Sequence, residues 1–223
     1  MIIPPLFDGL PVKAFFTTKA LGCTPGDISL KCSVPVSHIY LPLQKHTDSV
    51  LVIDHDLQPA IADAVVTNRP GILIGVRVAD CVPILLYDPV RKVAGAVHAG
   101  WRGTAAGILK KTVQVMTDRF KSEPSSVLMA VGPSIRGCCY EVDGEVAESV
   151  LAATGEGAYS VRNGEKYYLD LASANRCQAL SAGLSAAHLW IADACTRCLP
   201  EEFYSYRFAP GMLGRQAGFI GIV

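Results

Sequence analysis

Two histidines and one cysteine in the sequence could bind a metal ion. They are His46, Cys81 and His98. Two imidazoles and a thiolate are ligands that Zn²⁺ accepts, and three protein ligands leave the fourth tetrahedral position open. A zinc ion lowers the pKa of the water that it holds to about 7, which provides a nucleophile at neutral pH. The three residues therefore predict a catalytic rather than a structural metal site.

A predicted β-hairpin links Cys81 to His98. Residues 82–87 and 92–97 are predicted to be strands, and Asp88-Pro89 between them favours a type I turn. If the turn closes the hairpin symmetrically, Cys81 lies opposite His98, with Cβ atoms roughly 4.5–5.5 Å apart. Spacing alone leaves an alternative open, because a cysteine at a strand start is usually a small buried hydrophobe. The same symmetry pairs Tyr87 with Lys92 and Leu85 with Ala94.

Apolar segments and turn residues predict the remaining elements. Hairpins and helices alternate without a regular βαβ repeat, which indicates an α/β or α+β fold with mixed β-sheets flanked by helices. A hairpin is expected to turn at Asn163-Gly164, a dipeptide that favours a type I′ turn. The other predicted elements are strands at 71–76, 127–131, 188–192 and 218–223, and helices at 104–120, 144–153 and 171–182.

Length and composition predict one compact domain over residues 1–223. Half of the residues are hydrophobic and 18% are charged, while Lys+Arg and Asp+Glu balance at 20 each. No basic run is present, so nucleic acid is not an expected partner. No secretory signal or membrane-length apolar run is found, so we expect a cytoplasmic protein that binds no membrane. The eight cysteines are then expected to be free thiols or metal ligands.

Motifs around the predicted ligands resemble those of the polyphenol-oxidase or laccase-domain family, from about residue 40 onward. Members of that family are also described as purine nucleoside phosphorylases and adenosine deaminases. The most specific motifs are Gln44-Lys45-His46, Ala79-Asp80-Cys81-Val82-Pro83 and His98-Ala99-Gly100-Trp101-Arg102-Gly103. Further matches include Cys138-Cys139-Tyr140, Asp170-Leu171, Cys195-Thr196, Tyr204-Ser205-Tyr206-Arg207 and Gly214-Arg215-Gln216.

The resemblance implies a fold, a cofactor and an activity. The implied fold is that of laccase-domain and cysteine-hydrolase-like proteins, and the implied ligands of zinc, or of copper as the alternative ion, are His46, Cys81 and His98. The implied reactions are phosphorolysis of adenosine, inosine and S-methyl-5′-thioadenosine, and hydrolytic deamination of adenosine to inosine. The expected partners are therefore a small-molecule nucleoside and phosphate. We expect the protein itself to be a monomer or a weak homodimer.

Three further residues are candidates for the same site. Arg102 follows the ligand motif and suits bidentate phosphate binding, although a surface arginine is an equal alternative. Asp80 is a candidate acid or base, or a group that orients an imidazole; a partner for backbone N–H groups in a turn is the competing interpretation. Gln44 is a substrate-binding candidate on the resemblance alone. The predicted catalytic set is therefore Cys81, His98, Asp80 and Arg102.

Other functions remain open at this point. The resemblance also implies, as an alternative, a cysteine hydrolase or amidase acting in peptidoglycan precursor editing, in which Cys81 would be the nucleophile and His98 the base. A copper-dependent polyphenol oxidase is the weaker alternative, because multicopper laccases need more histidines than the five in this chain. A metal-stabilised interaction module would require a closed coordination sphere, which three ligands do not supply.

The sequence contains one further cysteine motif, but its spacing does not predict a second metal site. Cys195 and Cys198 form a CxxC pair, and a structural zinc ion normally needs a second such pair. The adjacent residues Cys138 and Cys139 lack that spacing, which argues against a second site. The remaining histidines, His38, His55 and His188, have no supporting context.

Overall fold

The computed structural model describes residues 1–54 and 56–223, so His55 lies outside the described residues. Within these ranges the helices are α1 (Pro25–Cys32), α2 (Trp101–Ala105), α3 (Ile108–Phe120), α4 (Gly144–Thr154) and α5 (Leu171–Ser181). The strands are β1 (Val12–Phe16), β2 (Ile39–Tyr40), β3 (Val50–Val52), β4 (Ala64–Thr67), β5 (Leu73–Val78), β6 (Val82–Asp88), β7 (Val93–Ala99), β8 (Leu128–Val131), β9 (Glu141–Val142), β10 (Ser160–Asn163), β11 (Lys166–Leu169), β12 (Leu189–Ile191) and β13 (Gln216–Ile222).

These strands form mixed and antiparallel sheets. The largest sheet of the described residues has the order β12-β8-β6-β7-β4-β3. Its outer pairs, β12 with β8 and β3 with β4, are parallel, whereas its inner pairs are antiparallel. A second sheet has the order β1-β13-β5-β2, and a small one the order β10-β11-β9. The prediction of mixed sheets flanked by helices is confirmed.

The two larger sheets pack face to face and are covered by helices on their outer sides. Alternation along β6 shows the layering, since successive side chains of a strand point to opposite faces. Leu85 and Tyr87 pack with Phe16 and other residues of the second sheet. Ile84 and Leu86 point the other way, into a core to which α3, α4 and α5 contribute. Helix α1 covers the far side of the second sheet, which gives four layers in the order α-β-β-α.

The hairpin between β6 and β7 forms as predicted, but its predicted register is wrong. Asp88 Oδ1 accepts the backbone N–H of Val90 at 2.8 Å, as expected for an Asx-type turn. β6 extends through Asp88, and Lys92 adopts a left-handed φ of 53° and belongs to the loop, so each strand is displaced by one residue and the pairing shifts by two. Consequently Pro83, not Cys81, pairs with His98. The other predicted pairs shift equally: Tyr87 pairs with Ala94 and Leu85 with Ala96.

Two other local predictions are wrong at positions where a glycine has a positive φ. The helix predicted over 104–120 is divided into α2 and α3, because Gly107 has a φ of +72° that an α-helix does not accommodate. The hairpin near residue 164 turns at Gly164-Glu165 rather than at Asn163-Gly164. Positive φ at the first of these residues alone matches a type II′ turn instead of type I′. The other predicted elements are confirmed to within a few residues.

None of the helices in the described ranges is long and apolar enough to span a membrane.

Candidate metal centre and active site

The structure brings the three predicted metal ligands together at one end of the β6-β7 hairpin. One donor atom from each of His46, Cys81 and His98 lies within 4.8 Å of the other two. The two imidazole rings are 4.9 Å apart between centroids and meet edge to face. His98 is 4% exposed and lies in β7, whereas His46 is exposed and Cys81 partly buried. The cluster is thus anchored in the protein interior and opens towards solvent.

Two backbone bends bring the predicted ligands together, although Cys81 and His98 are not paired directly across the hairpin. Asp80 has a φ of 83° directly before Cys81, and this bend turns the thiol towards His98 before β6 begins. His46 has a φ of 58° in the loop that precedes β3. Positive φ values are uncommon for residues other than glycine, and such strain persists only where the surroundings hold it. Both bends therefore mark the ligand cluster as a functional site.

A buried carboxylate, Asp63, organises two of the three ligands. Its Oδ1 accepts the Nδ1–H of His98 at 2.7 Å and the backbone N–H of His46 at 3.1 Å. Its Oδ2 accepts the backbone N–H groups of Lys45 and Thr47 and the Thr47 hydroxyl. Burial opposes ionisation of Asp63, but these hydrogen bonds hold the pKa of the carboxyl well below its usual range. The bond to Nδ1 leaves Nε2 of His98 free for a metal ion.

Sequence reasoning assigned the orienting role to Asp80 as one alternative and missed Asp63. Asp80 Oδ1 instead accepts the Thr196 hydroxyl at 2.6 Å, and its Oδ2 accepts the backbone N–H of Arg207 at 2.7 Å. Asp80 thereby connects two later loops to the predicted ligand Cys81, which follows it. The only sequence signal for Asp63 is an acidic residue directly before the apolar strand β4.

The charges of the cluster shift the pKa values of its members. Burial opposes ionisation of the Cys81 thiol, but His98 and His46 beside it lower its pKa to about 6. Burial likewise opposes protonation of His98, but the Cys81 thiolate and the Asp63 carboxylate raise its pKa to about 9. The thiol is therefore ready to act as a thiolate at neutral pH, which both a metal ligand and a nucleophile require.

Glycine is needed at position 100 for steric reasons. A Cβ atom there would lie 3.0 Å from Cys81 Sγ and 3.4 Å from His46 Cδ2. The φ of Gly100 is −71°, which any residue adopts, so the backbone itself does not demand glycine. The space is needed instead for the two ligand side chains.

The donor set fits a zinc ion with one open position. Imidazole nitrogen and thiolate sulfur are both zinc ligands, three protein ligands leave the fourth tetrahedral position open, and a carboxylate behind one histidine is the usual support of such a ligand. The same donors also accept copper. His46 is exposed, and all three residues line one cavity, which a small molecule could enter.

The cavity next to the ligands has a volume of about 610 Å³ and a positively charged wall. The ion pairs formed among the described residues leave its arginines without a carboxylate partner. Unneutralised guanidinium groups in a cavity favour the binding of an anion. These arginines are Arg77, Arg102, Arg207 and Arg215.

The other predicted site residues also line this cavity. Arg102 lies in the first turn of α2, and its guanidinium stacks on the Trp101 ring at 4.2 Å from the ring centroid. Gln44 exchanges two hydrogen bonds of 2.8 Å with the backbone of Arg77, which fixes its amide against β5. The structure therefore gathers Gln44, Asp80 and Arg102 around the three ligands.

Tyr140 is a wall residue that the sequence indicated only through the resemblance. Burial raises its pKa to about 12, and the charge of Cys81 adds to this effect. The guanidinium of Arg207 lies 4.9 Å from the centroid of the Tyr140 ring and donates to the Glu141 carbonyl at 2.8 Å. Tyr140 thus remains a neutral phenol that positions one of the cavity arginines.

Comparisons with known proteins connect this site to a family. A family model described as multi-copper polyphenol oxidoreductase laccase matches residues 27–223. A purine nucleoside phosphorylase, YlmD of Bacillus subtilis, is 36% identical over 162 residues, which are 72% of this chain and 58% of that protein. An adenosine deaminase, RL5, from an unknown prokaryotic organism is 37% identical over 193 residues, or 81% and 73% of the two chains.

A solved structure shares the fold. The crystal structure of YlmD from Geobacillus stearothermophilus superimposes with a TM-score of 0.89 at 29% identity, over 98% of this chain and 93% of that one. By sequence, the chain spans 58% to 61% of the length of three phosphorylase relatives. The family model nevertheless covers most of the chain, which confirms the resemblance seen in the motifs. The chain belongs to the multi-copper polyphenol oxidoreductase laccase family.

Proposed function

We propose that the chain is a metal-dependent purine nucleoside enzyme that catalyses phosphorolysis of nucleosides and deamination of adenosine. The observation that carries the proposal is a cavity that joins the three-ligand cluster to arginines that form no ion pair with any described residue. Relatives that are named purine nucleoside phosphorylase and adenosine deaminase support both activities. The proposed substrates are adenosine, inosine and S-methyl-5′-thioadenosine with phosphate, and the proposed compartment is the cytoplasm.

Phosphorolysis requires the chain to hold a dianion next to a nucleoside. An oxygen of phosphate bonds to ribose C1′ while the bond from C1′ to purine N9 breaks, and the departing purine takes up a proton. Arg102 is our candidate for phosphate binding, since its guanidinium is held by Trp101 and directed into the cavity. Fixing both reactants in one geometry removes much of the entropic barrier.

Deamination uses the ligand side of the same cavity. In this reaction adenosine and water give inosine and ammonia at purine C6. A zinc ion held by His46, Cys81 and His98 would supply Lewis acidity and lower the pKa of water. Asp63 keeps His98 in the tautomer that exposes Nε2, and Gly100 leaves room for the ligands.

The purine requires an apolar wall beside these polar groups, as small-molecule sites generally do. Tyr140 and Val78 are buried residues of the cavity wall, and Tyr206 and Leu213 lie at its exposed side. We propose that the base packs among these side chains while its ribose faces Arg102.

A second candidate function is based on the arrangement of Cys81, His98 and Asp63, in which His98 lies between the other two side chains. A thiol of lowered pKa, an imidazole beside it and a carboxylate on the far imidazole nitrogen are the parts of a cysteine hydrolase. Such an enzyme would attack an amide with Cys81 and would need no metal. The two functions therefore differ in their response to metal removal.

The test is to incubate reduced, purified protein with adenosine and phosphate and to separate the products by chromatography. We expect adenine with ribose 1-phosphate, and inosine. Both activities should be lost after chelation, return with Zn²⁺ and be absent from Cys81→Ser, while Cys32→Ser retains them because Cys32 lies at the end of α1. Formation of neither product would contradict the proposal, and amide hydrolysis by metal-free protein would favour the hydrolase.

A further inference from the structure

A second cluster of sulfur atoms lies outside the cavity just described. It consists of Cys138, Cys139, Cys195 and Cys198, whose Sγ atoms all lie within 4.8 Å of one another. The spacing along the sequence argued against a metal site here, because only one pair is a CxxC. The tertiary structure nevertheless brings the two pairs together.

Parallel pairing of β8 and β12 explains the approach of these pairs. The strands run side by side from Met129 and Leu189 onward, so the segments that follow them leave the sheet at the same end. A further bridge joins Ser134 to Cys195, and the backbone N–H of Thr196 donates to the Ser134 carbonyl at 3.1 Å. The loop that follows β8 is therefore fixed against the loop that follows β12.

Three of the four sulfur atoms lie slightly closer together than thiolates around a tetrahedral zinc ion. Cys139 Sγ and Cys198 Sγ are 3.3 Å apart, and Cys138 Sγ lies 3.6 Å from the first and 3.7 Å from the second. Four thiolates at about 2.3 Å from a zinc ion would be separated by about 3.8 Å. A small outward movement of these sulfurs would accommodate the ion.

Hydrogen-bond donors surround the cluster as they surround thiolate ligands. The buried Cys195 Sγ accepts the backbone N–H of Arg136 at 3.5 Å, and the N–H groups of Arg197 and Cys198 also donate to it. The Arg197 guanidinium lies 3.6 Å from Cys139 Sγ. Four thiolates and one Zn²⁺ carry a net negative charge, which these donors would offset.

We propose that Cys138, Cys139, Cys195 and Cys198 bind a structural zinc ion through four thiolates. All four coordination positions would be filled by the protein, in contrast to the open site in the cavity. The ion would join two loops that build the cavity wall: Tyr140 follows Cys139, and the Thr196 hydroxyl binds Asp80 at 2.6 Å. It would hold this wall in place without contacting the substrate.

The experiment uses Cys81→Ala protein purified under reductant, so that the cavity site does not contribute zinc. We expect about one zinc per chain, against about two for the unaltered protein. X-ray absorption at the zinc edge should show four sulfur neighbours at about 2.3 Å. Adding Cys198→Ser should remove this zinc, whereas adding Cys32→Ser, a partly buried cysteine outside the cluster, should not.

Three outcomes would overturn the proposal, whatever the result of the nucleoside assay. The first is Cys81→Ala protein that holds no zinc after dialysis against Zn²⁺. The second is a zinc ion with nitrogen or oxygen neighbours. The third is a mass spectrum of protein kept under reductant that shows a Cys139–Cys198 disulfide in place of free thiols. Because the spectroscopic measurement needs no change within the cluster, it tests the zinc site even if a cluster variant fails to fold.

Discussion

Asp63 Oδ1 accepts a hydrogen bond from His98 Nδ1 at 2.7 Å. The same oxygen accepts the backbone N–H of His46 at 3.1 Å. One fully buried carboxylate therefore sets the imidazole orientation of one predicted metal ligand and the loop conformation of another. Such a group tunes affinity for the metal without touching it.

Asp63→Asn should weaken zinc binding about 10- to 100-fold. The amide preserves the shape of the side chain but loses the charge that holds His98 and the strained loop at His46. The measurement is competition with a chromophoric chelator. Asp54→Asn is the matched control, because Asp54 pairs with Arg119 on the surface. Equal zinc affinities for the two variants would contradict the role assigned to Asp63.

Gly100→Ala should reduce zinc affinity while the protein still folds. The new Cβ would lie 3.0 Å from Cys81 Sγ, so the thiol has to move. The φ of −71° accepts alanine, and the effect is therefore steric rather than a backbone penalty. Zinc titration measures the affinity for the metal, and a separate thermal unfolding experiment measures the stability of the fold. Gly26→Ala in α1 is the control, with its nearest atom at 3.7 Å; an unchanged affinity of Gly100→Ala would count against the crowding argument.

The ligand cluster was predictable from residue type and family motif, but the local reason for it was not. The sequence predicts a four-residue loop over 88–91, whereas the loop lies one residue later, over 89–92, because Asp88 still pairs with Val93 and Lys92 adopts a left-handed conformation. Lysine has no special preference for that conformation, so the register could not be predicted. Cys81 reaches His98 through the bend at Asp80 instead of through direct pairing.

Contacts between distant segments explain what sequence reasoning missed. Asp63 and His98 are 35 residues apart, and adjacent antiparallel strands bring them together. The cysteine pairs are brought together by the parallel neighbours β8 and β12, which no local pattern links. By contrast, the α4 and α5 segments were predicted to within one residue, because apolar segments and the turn residues that bound them are local signals.

Arg102→Lys should raise the KM for phosphate in phosphorolysis about tenfold, because lysine cannot form the bidentate contact. Deamination of adenosine consumes no phosphate and should be retained. Comparing the two activities of one preparation therefore distinguishes a phosphate-binding role from general damage. Arg119→Lys is the control, since Arg119 is exposed and pairs with Asp54. A parallel loss of both activities would show that Arg102 serves the fold or the nucleoside instead.

Cys81 should react with iodoacetamide in metal-free protein at a rate that falls as the pH drops through about 6. The thiolate is the reactive form, and His98 and His46 lower the pKa of Cys81 to about 6 against the opposing effect of burial. Below this pH the thiol is protonated and the rate declines; above it the rate reaches a plateau. Peptide mass mapping at several pH values measures the profile.

Two comparisons complete this measurement. Bound zinc should protect Cys81 from alkylation, because a ligand sulfur is unavailable to the reagent. His98→Gln should move the midpoint of the profile upward, because the neighbouring imidazolium that favours the thiolate is removed. A midpoint near the ordinary cysteine pKa of about 8.5 in the unaltered protein would contradict the assigned electrostatics. Alkylation that proceeds equally with zinc present would argue that Cys81 is a nucleophile rather than a ligand.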